Sequence, residues 1–369
     1  MSIPIILLTA PSPPFSYPVS WGPDMPPDHQ AVWAVKVALA YFLIGLGSMI
    51  IVISAINDIK IPVPAAGGSV DSISSTAKFK LSIGITSLVA IILGLVFLVL
   101  DAGKPYTAWE IITYGLTYGR WESWMFLGTI FLIMILLLGL IYSALWLGNA
   151  MPNIAMFKKL GSWYTSSNLS SRASRYLLIS LITVFGILGA SYGGVLFSLT
   201  NIALWRNPVL VILFPVSGLS SAAAVGMLLT TVFIKDESSK EHNTLLWSTI
   251  DLYSVMAEAI LTALFLAIGV YNPNASMPVN QVLFGAYSLY FWVLVVTLGL
   301  AIPMLLEITL HKISPKKYIY IVPIITILII IGAASLRYYV VIASAYYYGP
   351  ISPFSPTQMQ FPWGTVWGE

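Results

Sequence analysis

Long apolar segments recur along this chain and limit what it can fold into. Each of them offers about 20 or more mostly apolar residues, enough to cross a hydrocarbon core of ~30 Å as a helix. They correspond to eight predicted membrane spans, at about residues 29–55, 81–100, 121–147, 176–199, 208–234, 245–270, 282–310 and 318–347.

The composition supports the same conclusion. Only 8% of the residues are charged, whereas soluble domains carry about 25%, so the protein cannot cover a water-facing surface. We predict an all-α membrane protein with about eight transmembrane helices arranged as two four-helix bundles, residues 29–199 and 200–347. A weak internal repeat, in which Gly45 on span one matches Gly218 on span five, favours two bundles. Residues 1–28 form a Pro-rich leader and residues 348–369 a C-terminal tail.

The distribution of basic residues predicts the orientation. The segments 58–80, 148–175, 235–244 and 308–318 contain twelve Lys and Arg, whereas the segments on the other side contain only Lys104, Arg120 and Arg206. Cytoplasmic loops are the basic ones. We therefore expect a multi-pass protein of the cytoplasmic membrane with both termini on the extracytoplasmic side.

The segment from Asp101 to Trp124 is unusually polar for this protein. It follows span two, and Pro105 ends the preceding helix because it lacks a backbone N–H and restricts the residue before it. Its Trp and Tyr residues are typical of the lipid–water boundary. The sequence predicts a wall of a quinone pocket and a partner-docking loop here, the latter formed by Lys104, Tyr106, Glu110, Arg120 and Glu122.

The cysteine and histidine content of the sequence restricts the redox chemistry. There are no cysteines, so we expect no thiolate-held Fe–S cluster within this protein. The three histidines, His29, His242 and His311, fall at the predicted mouth of span one and in loops on the opposite side. Their predicted depths do not suit a bis-histidine haem or a buried metal, so we expect neither.

Charged residues inside the spans are candidates for function, because each costs at least ~2.5–3.5 kcal/mol at the helix centre unless paired or hydrated. Asp251 and Glu258 are seven residues apart and therefore lie on one face of span six. Arg337 on span eight is predicted at a similar depth to Glu258. One interpretation is a hydrated proton relay through the three residues. The other is a structural ion pair between Glu258 and Arg337.

At the extracytoplasmic end, polar side chains on three spans are predicted to surround a quinone. His29, Trp33 and Lys36 begin span one, Asp101 ends span two, and Tyr192 precedes two glycines that leave room for a flat ring. The alternatives are that Lys36 extends its charge to the surface, that Asp101 pairs with Lys104, and that Tyr192 is an ordinary interfacial tyrosine.

Several motifs resemble the NrfD/PsrC-type membrane subunits of polysulfide reductase and related respiratory complexes. Asp101-Ala-Gly-Lys-Pro105 is similar to that family's D-x-G-R-P turn. Tyr192-Gly-Gly-Val-Leu-Phe-Ser198, followed by Leu204-Trp-Arg-Asn-Pro208, is similar to its Y-T-G-x-L-L-S and W-N-x-P stretch. Lys104 stands where the family usually has Arg, and Gly193 stands where it has Thr.

The resemblance implies a haem-free subunit that exchanges electrons between the quinone pool, menaquinone or another quinone, and an Fe–S partner subunit. A catalytic molybdopterin subunit is expected beside that partner, in a sulfur or polysulfide reductase type of complex surrounded by lipid and without nucleic acid. Two alternatives remain open: a proton-conducting or solute-transporting subunit without quinone chemistry, and a purely structural anchor.

Overall fold

The computed structural model describes residues 35–59, 70–101, 105–151, 154, 156, 159, 172–200, 202–272, 275–285, 287–312 and 317–348, with backbone only for 70–74, 172, 277 and 343–348. Within these ranges every regular element is helical, and eight helices are long and apolar enough to cross a membrane. This confirms the prediction of an all-α protein with eight spans. The predicted leader and tail lie outside the described residues, except for the helix end at residue 348.

The eight spans are long apolar helices. Their bounds are Val35–Asn57, Ser75–Asp101, Trp124–Ala150, Ala173–Ser198, Val209–Phe233, Glu237–Tyr271, Ser288–Leu310 and Tyr318–Ile342. Spans two, four and eight belong to longer helices, Val70–Asp101, Arg172–Ser198 and Tyr318–Tyr348. Short helices at Glu110–Thr117 and Ser276–Leu283 lie between spans. Successive spans alternate in direction, so the protein has an Asp101 end and an Asp58 end.

Span two begins earlier than the sequence predicted. We placed its start at residue 81 because Lys78 and Lys80 resemble loop residues, but the helix begins at Val70. Lys78 is exposed, whereas Lys80 is buried. The charge of Lys80 is neutralised locally, since its ammonium lies 2.6 Å from the Asp58 carboxylate. Lys80 is therefore an intramembrane residue and was wrongly counted with the loop.

Span six also begins earlier than predicted, at Glu237 rather than residue 245. Its first turn is capped by Asp236, which accepts hydrogen bonds from the Ser239 backbone N–H at 2.9 Å and the Ser238 hydroxyl at 2.7 Å. Hydrogen bonds from Ser239 and Ser238 lower the pKa of Asp236 to about 2. This cap stabilises the start of the helix, so the polar residues before the apolar segment are also helical.

Span one is the most enclosed of the spans and packs against spans two, four and five. It crosses span five at Gly45 and Gly218, where a Cβ on Gly218 would lie only 2.9 Å from the Gly45 backbone. Small residues allow this close approach. The two glycines of the predicted repeat are therefore in contact, while the grouping into two bundles remains a prediction.

Span seven is not a uniform α-helix. Its central part, Phe291–Ala301, is π-helical, and the Thr297 hydroxyl donates to the Trp292 carbonyl at 2.8 Å, five residues earlier. Gly299 contacts Gly332 of span eight so closely that a Cβ on Gly299 would lie 2.5 Å from the Gly332 Cα. The widened helix brings span seven directly against span eight.

Candidate functional site

Two tyrosines from different spans meet near the Asp101 end. The rings of Tyr41 and Tyr192 are both buried, and their centroids lie 6.2 Å apart in an edge-to-face arrangement. Glycines make the space for these rings, since a Cβ on Gly128 would overlap the Tyr192 ring and one on Gly193 would clash with Tyr41. The glycine after Tyr192 was predicted to leave room for a flat ring, and the ring of Tyr41 occupies that space.

Two charged residues, Lys36 and Asp101, lie near these rings. We name the set of Lys36, Tyr41, Asp101 and Tyr192 the tyrosine cluster. Lys36 is exposed and Asp101 half-buried, and their charges lie within electrostatic range of each other without a salt bridge between these two described residues. Asp101 and Tyr192 also interact electrostatically with Tyr41. No described residue donates to or accepts from either tyrosine hydroxyl.

The structure therefore brings together three of the five predicted quinone-contacting residues, Lys36, Asp101 and Tyr192. His29 and Trp33 lie outside the described residues. Tyr41 was missed by the sequence analysis because a tyrosine inside an apolar span has no local signal of function. Its position on span one, between Lys36 and Gly45, was the only available indication.

The predicted docking loop presents its side chains outward. Tyr106, Arg120 and Glu122 are exposed and Glu110 is half-buried, while Lys104 lies outside the described residues. The aromatic residues around them are also exposed: Trp109, Tyr114, Tyr118, Trp121 and Trp124. A surface rich in aromatic residues with few charges is the kind that a protein partner or an interfacial lipid layer covers.

A second group of polar residues follows one face of span six. Spacings of three, four or seven residues place them on a single stripe of the helix, and all of them are buried. Several of their polar atoms have no hydrogen-bond partner among the described residues. We name this set the polar face of span six; its members are Thr244, Ser248, Asp251, Glu258 and Thr262.

Glu307 of span seven faces this stripe. It is completely buried, and its carboxyl group lies within hydrogen-bonding range of that of Asp251. Neither of its carboxyl oxygens receives a hydrogen bond from the described residues. Ser220 donates to the other Asp251 oxygen at 2.9 Å. Sequence analysis missed Glu307 because it lies only three residues from the end of its span, where a charge needs no explanation.

Arg337 is held by neutral groups and aromatic rings. It donates to the Ser217 hydroxyl at 2.9 Å and to the Ala333 and Phe214 carbonyls at 3.1 and 3.0 Å. Glu258 interacts with the same serine, yet these two described charges form no direct salt bridge. The two charges interact electrostatically without direct contact, so the choice between a structural ion pair and a proton relay stays a prediction.

Phe214 connects the two polar regions. Its ring lies 5.4 Å from the Arg337 guanidinium carbon on one side and 6.3 Å from the Tyr41 ring centroid on the other. Phe42 also lies 5.6 Å from the same guanidinium. Arg337 is thus separated from the tyrosine cluster by a layer of aromatic rings.

Two further features define what the described residues can bind. A crevice lined by Phe265, Phe291, Tyr339 and neighbouring apolar residues begins at Thr262, and it admits no more than about one water-sized molecule. Within the described ranges, no three His, Cys, Asp or Glu side chains gather into a possible metal site. The tyrosine cluster places two hydroxyls without described partners beside aromatic rings.

Comparison with known proteins agrees with the resemblance noted in the sequence. Residues 25–348 match the family model described as polysulphide reductase, NrfD. The sequence is 26% identical to protein NrfD of Escherichia coli over 286 residues, 75% of this protein and 84% of that one. It is 25% identical to the C subunit of polysulfide reductase from Wolinella succinogenes over 261 residues, 69% of this protein and 78% of that one.

Proposed function

This chain belongs to the NrfD polysulphide reductase family, and from that premise we propose that it exchanges electrons between a membrane quinone and a partner subunit. It is a multi-pass membrane subunit of the kind found in redox complexes. One relative is named as the C subunit of polysulfide reductase, and a subunit so named works with others. We therefore propose an Fe–S subunit and a molybdopterin-containing catalytic subunit as partners.

The tyrosine cluster supports the quinone part of this proposal. A quinone ring carries two oxygens that accept hydrogen bonds, and the Tyr41 and Tyr192 hydroxyls are two donors without described partners. Oxidation of a quinol also releases protons, and Asp101 is the nearby carboxylate that can accept one, with the Lys36 charge within electrostatic range. The free hydroxyls of two neighbouring tyrosines are the observation that carries the proposal. His29 and Trp33 remain proposed members of the site.

The docking loop supports the partner part. Its exposed aromatic and charged side chains lie at the Asp101 end, the same end as the tyrosine cluster. Electron transfer requires a short distance between quinone and the next cofactor, so a partner bound to this loop would place its Fe–S cluster close to the quinone. We propose Lys104, Tyr106, Glu110, Arg120 and Glu122 as its contacts.

A second candidate function is proton conduction, and the polar face of span six favours it. Buried polar groups without protein partners are commonly satisfied by water. Unpartnered atoms on Thr244, Ser248 and Asp251 therefore support a hydrated path that leads on towards Glu258 and Arg337. This path can serve quinone chemistry or act without it. Proton flux through the purified protein alone, with no quinone present, would support the second candidate.

The quinone site is tested by removing one hydroxyl at a time. In the assembled complex, Tyr41→Phe and Tyr192→Phe should each lower kcat/KM for quinone roughly two- to tenfold, because each removes a hydrogen bond worth about 0.5–1.5 kcal/mol. Activity of the catalytic partner with a soluble dye should not change. Tyr253→Phe is the matched control, since Tyr253 is an exposed tyrosine on span six. Unchanged quinone kinetics in both variants would remove the tyrosine cluster from the site.

A further inference from the structure

The contact between Asp251 and Glu307 has a chemical requirement. The Asp251 and Glu307 carboxyl groups lie within hydrogen-bonding range of each other. Two ionised carboxylates are acceptors only and cannot hydrogen-bond to each other, so a bond across this contact needs a proton on one of them. Ser220 supplies a donor to a single Asp251 oxygen. The other Asp251 oxygen and both Glu307 oxygens receive none from the described residues.

The surroundings do not provide a compensating positive charge. Both residues are completely buried, and no described Lys or Arg forms a salt bridge with either. The ionisable groups facing the pair are Glu258, further along span six and itself acidic, and His311, which follows Glu307 by four residues. Arg337 contacts Ser217 on the far side of Glu258. Two negative charges in this position would be strongly unfavourable, so the pair must retain a proton.

An exposed histidine lies close to the pair. The His311 ring contacts the Glu307 backbone carbonyl at 2.9 Å and the Thr249 hydroxyl at 3.3 Å, and His311 and Thr249 are both exposed. An exposed titratable ring therefore lies one helical turn from a buried acid. Unpartnered hydroxyls of Ser248 and Thr244 lie on the same stripe as Asp251.

From this arrangement we propose that Asp251 and Glu307 share a single proton and form the first holding site of the proton path, filled from the His311 end. This inference deepens the proton path of the proposed function and rests on it for the onward route to Glu258. The occupant is a proton and not a metal cation. Each proton that arrives binds one carboxylate oxygen, and a proton leaves towards the Glu258 side, so the pair returns to one proton.

Infrared spectroscopy of the assembled complex tests the shared proton directly. The wild-type spectrum at neutral pH should contain the carbonyl stretch of a buried protonated carboxylic acid, and Glu307→Gln should remove it, because the amide donates to Asp251 and leaves that carboxylate ionised. Glu241→Gln, an exposed glutamate of the same span, should leave the band unchanged. A band that persists in Glu307→Gln would overturn the shared proton.

A measurement on the unaltered complex guards against a variant that does not fold. An apolar carbodiimide reacts with protonated carboxyl groups in apolar surroundings, and peptide mass analysis should locate the adduct on Asp251 or Glu307. Labelling that is absent at neutral pH, or that appears only when Na⁺ is removed, would overturn the proposal in favour of ionised acids or a bound cation. Neither readout depends on quinone turnover. Failure of this inference is therefore distinguishable from failure of the quinone site.

Discussion

Two buried clusters of charged residues near the same end of the protein differ in whether their charges are paired. In the Asp58 cluster, formed by Ser54, Asp58, Lys80 and Tyr142, each donor has an acceptor. Lys80 donates to the Ser54 hydroxyl at 3.1 Å and pairs with Asp58 at 2.6 Å. Tyr142 donates to the other Asp58 oxygen at 2.9 Å, which leaves Ser54 to donate to Tyr142 at 2.7 Å.

The Asp251–Glu307 pair is the contrary case. It brings together two groups of like charge, and three of its four oxygens have no N–H or hydroxyl donor among the described residues. The Asp58 cluster is electrically neutral and closed, as expected of a structural element. The acid pair has no such internal compensation and must take a proton from its surroundings to avoid two adjacent negative charges. The comparison teaches that pairing, rather than burial, separates a structural charge from a candidate for function.

The largest expected effect is the loss of Lys80. Lys80→Met should lower the free energy of unfolding by about 3–5 kcal/mol, because it leaves the Asp58 carboxylate buried without a counter-charge. Thermal unfolding of the purified protein in detergent measures this. Lys78→Met is the matched control, since Lys78 lies on the same helix but is exposed.

Combining Lys80→Met with Asp58→Asn should restore a large part of that stability, because the uncompensated charge disappears. A double variant as unstable as Lys80→Met alone would show that the lysine contributes by packing. The contrast with the acid pair would then lose its electrostatic basis.

The Glu307→Gln variant should have an intermediate effect on stability. We expect its free energy of unfolding to lie within about 1 kcal/mol of the wild type, because the amide replaces a carboxyl group that already shares a proton and removes no counter-charge. The same thermal unfolding assay at neutral pH applies. A loss as large as that of Lys80→Met would mean that Glu307 is ionised and structurally paired.

The smallest effect is expected at Asp236, an exposed carboxylate that accepts hydrogen bonds from Ser238 and Ser239. Because folding lowers its pKa to about 2, its capping contribution is fully present above the ordinary Asp pKa and disappears as pH falls towards 2. Asp236→Ala should therefore lower the melting temperature slightly at neutral pH, and the difference should shrink as the pH falls through 2. A difference that is independent of pH would assign the effect to helix propensity instead.

The sequence predicted the part of the fold that depends on hydrophobicity alone. Apolar length gave the eight spans, and small residues indicated the Gly45–Gly218 crossing. The start of span two was misplaced because the burial of Lys80 depends on Asp58, twenty-two residues earlier. Such pairing between spans leaves no local pattern in a single sequence.

The candidate site was predictable to the extent that its residues stand out from their spans. Asp101, Tyr192, Asp251, Glu258 and Arg337 could be found as polar groups in apolar surroundings. Glu307 and Tyr41 could not, since a glutamate near a helix end and a tyrosine in a span are both ordinary. The Ser217 hydroxyl between Glu258 and Arg337 is also a property of packing, because serine has no charge to mark it.

The ring of Phe214 has a consequence for energy conservation. It belongs to the layer of aromatic rings between a guanidinium and the tyrosines, and hydrocarbon of this kind does not carry a proton. If water reaches the guanidinium from one side and the tyrosines from the other, much of the membrane voltage falls across that layer. The insulation of the whole subunit would then be only a few ångströms thick.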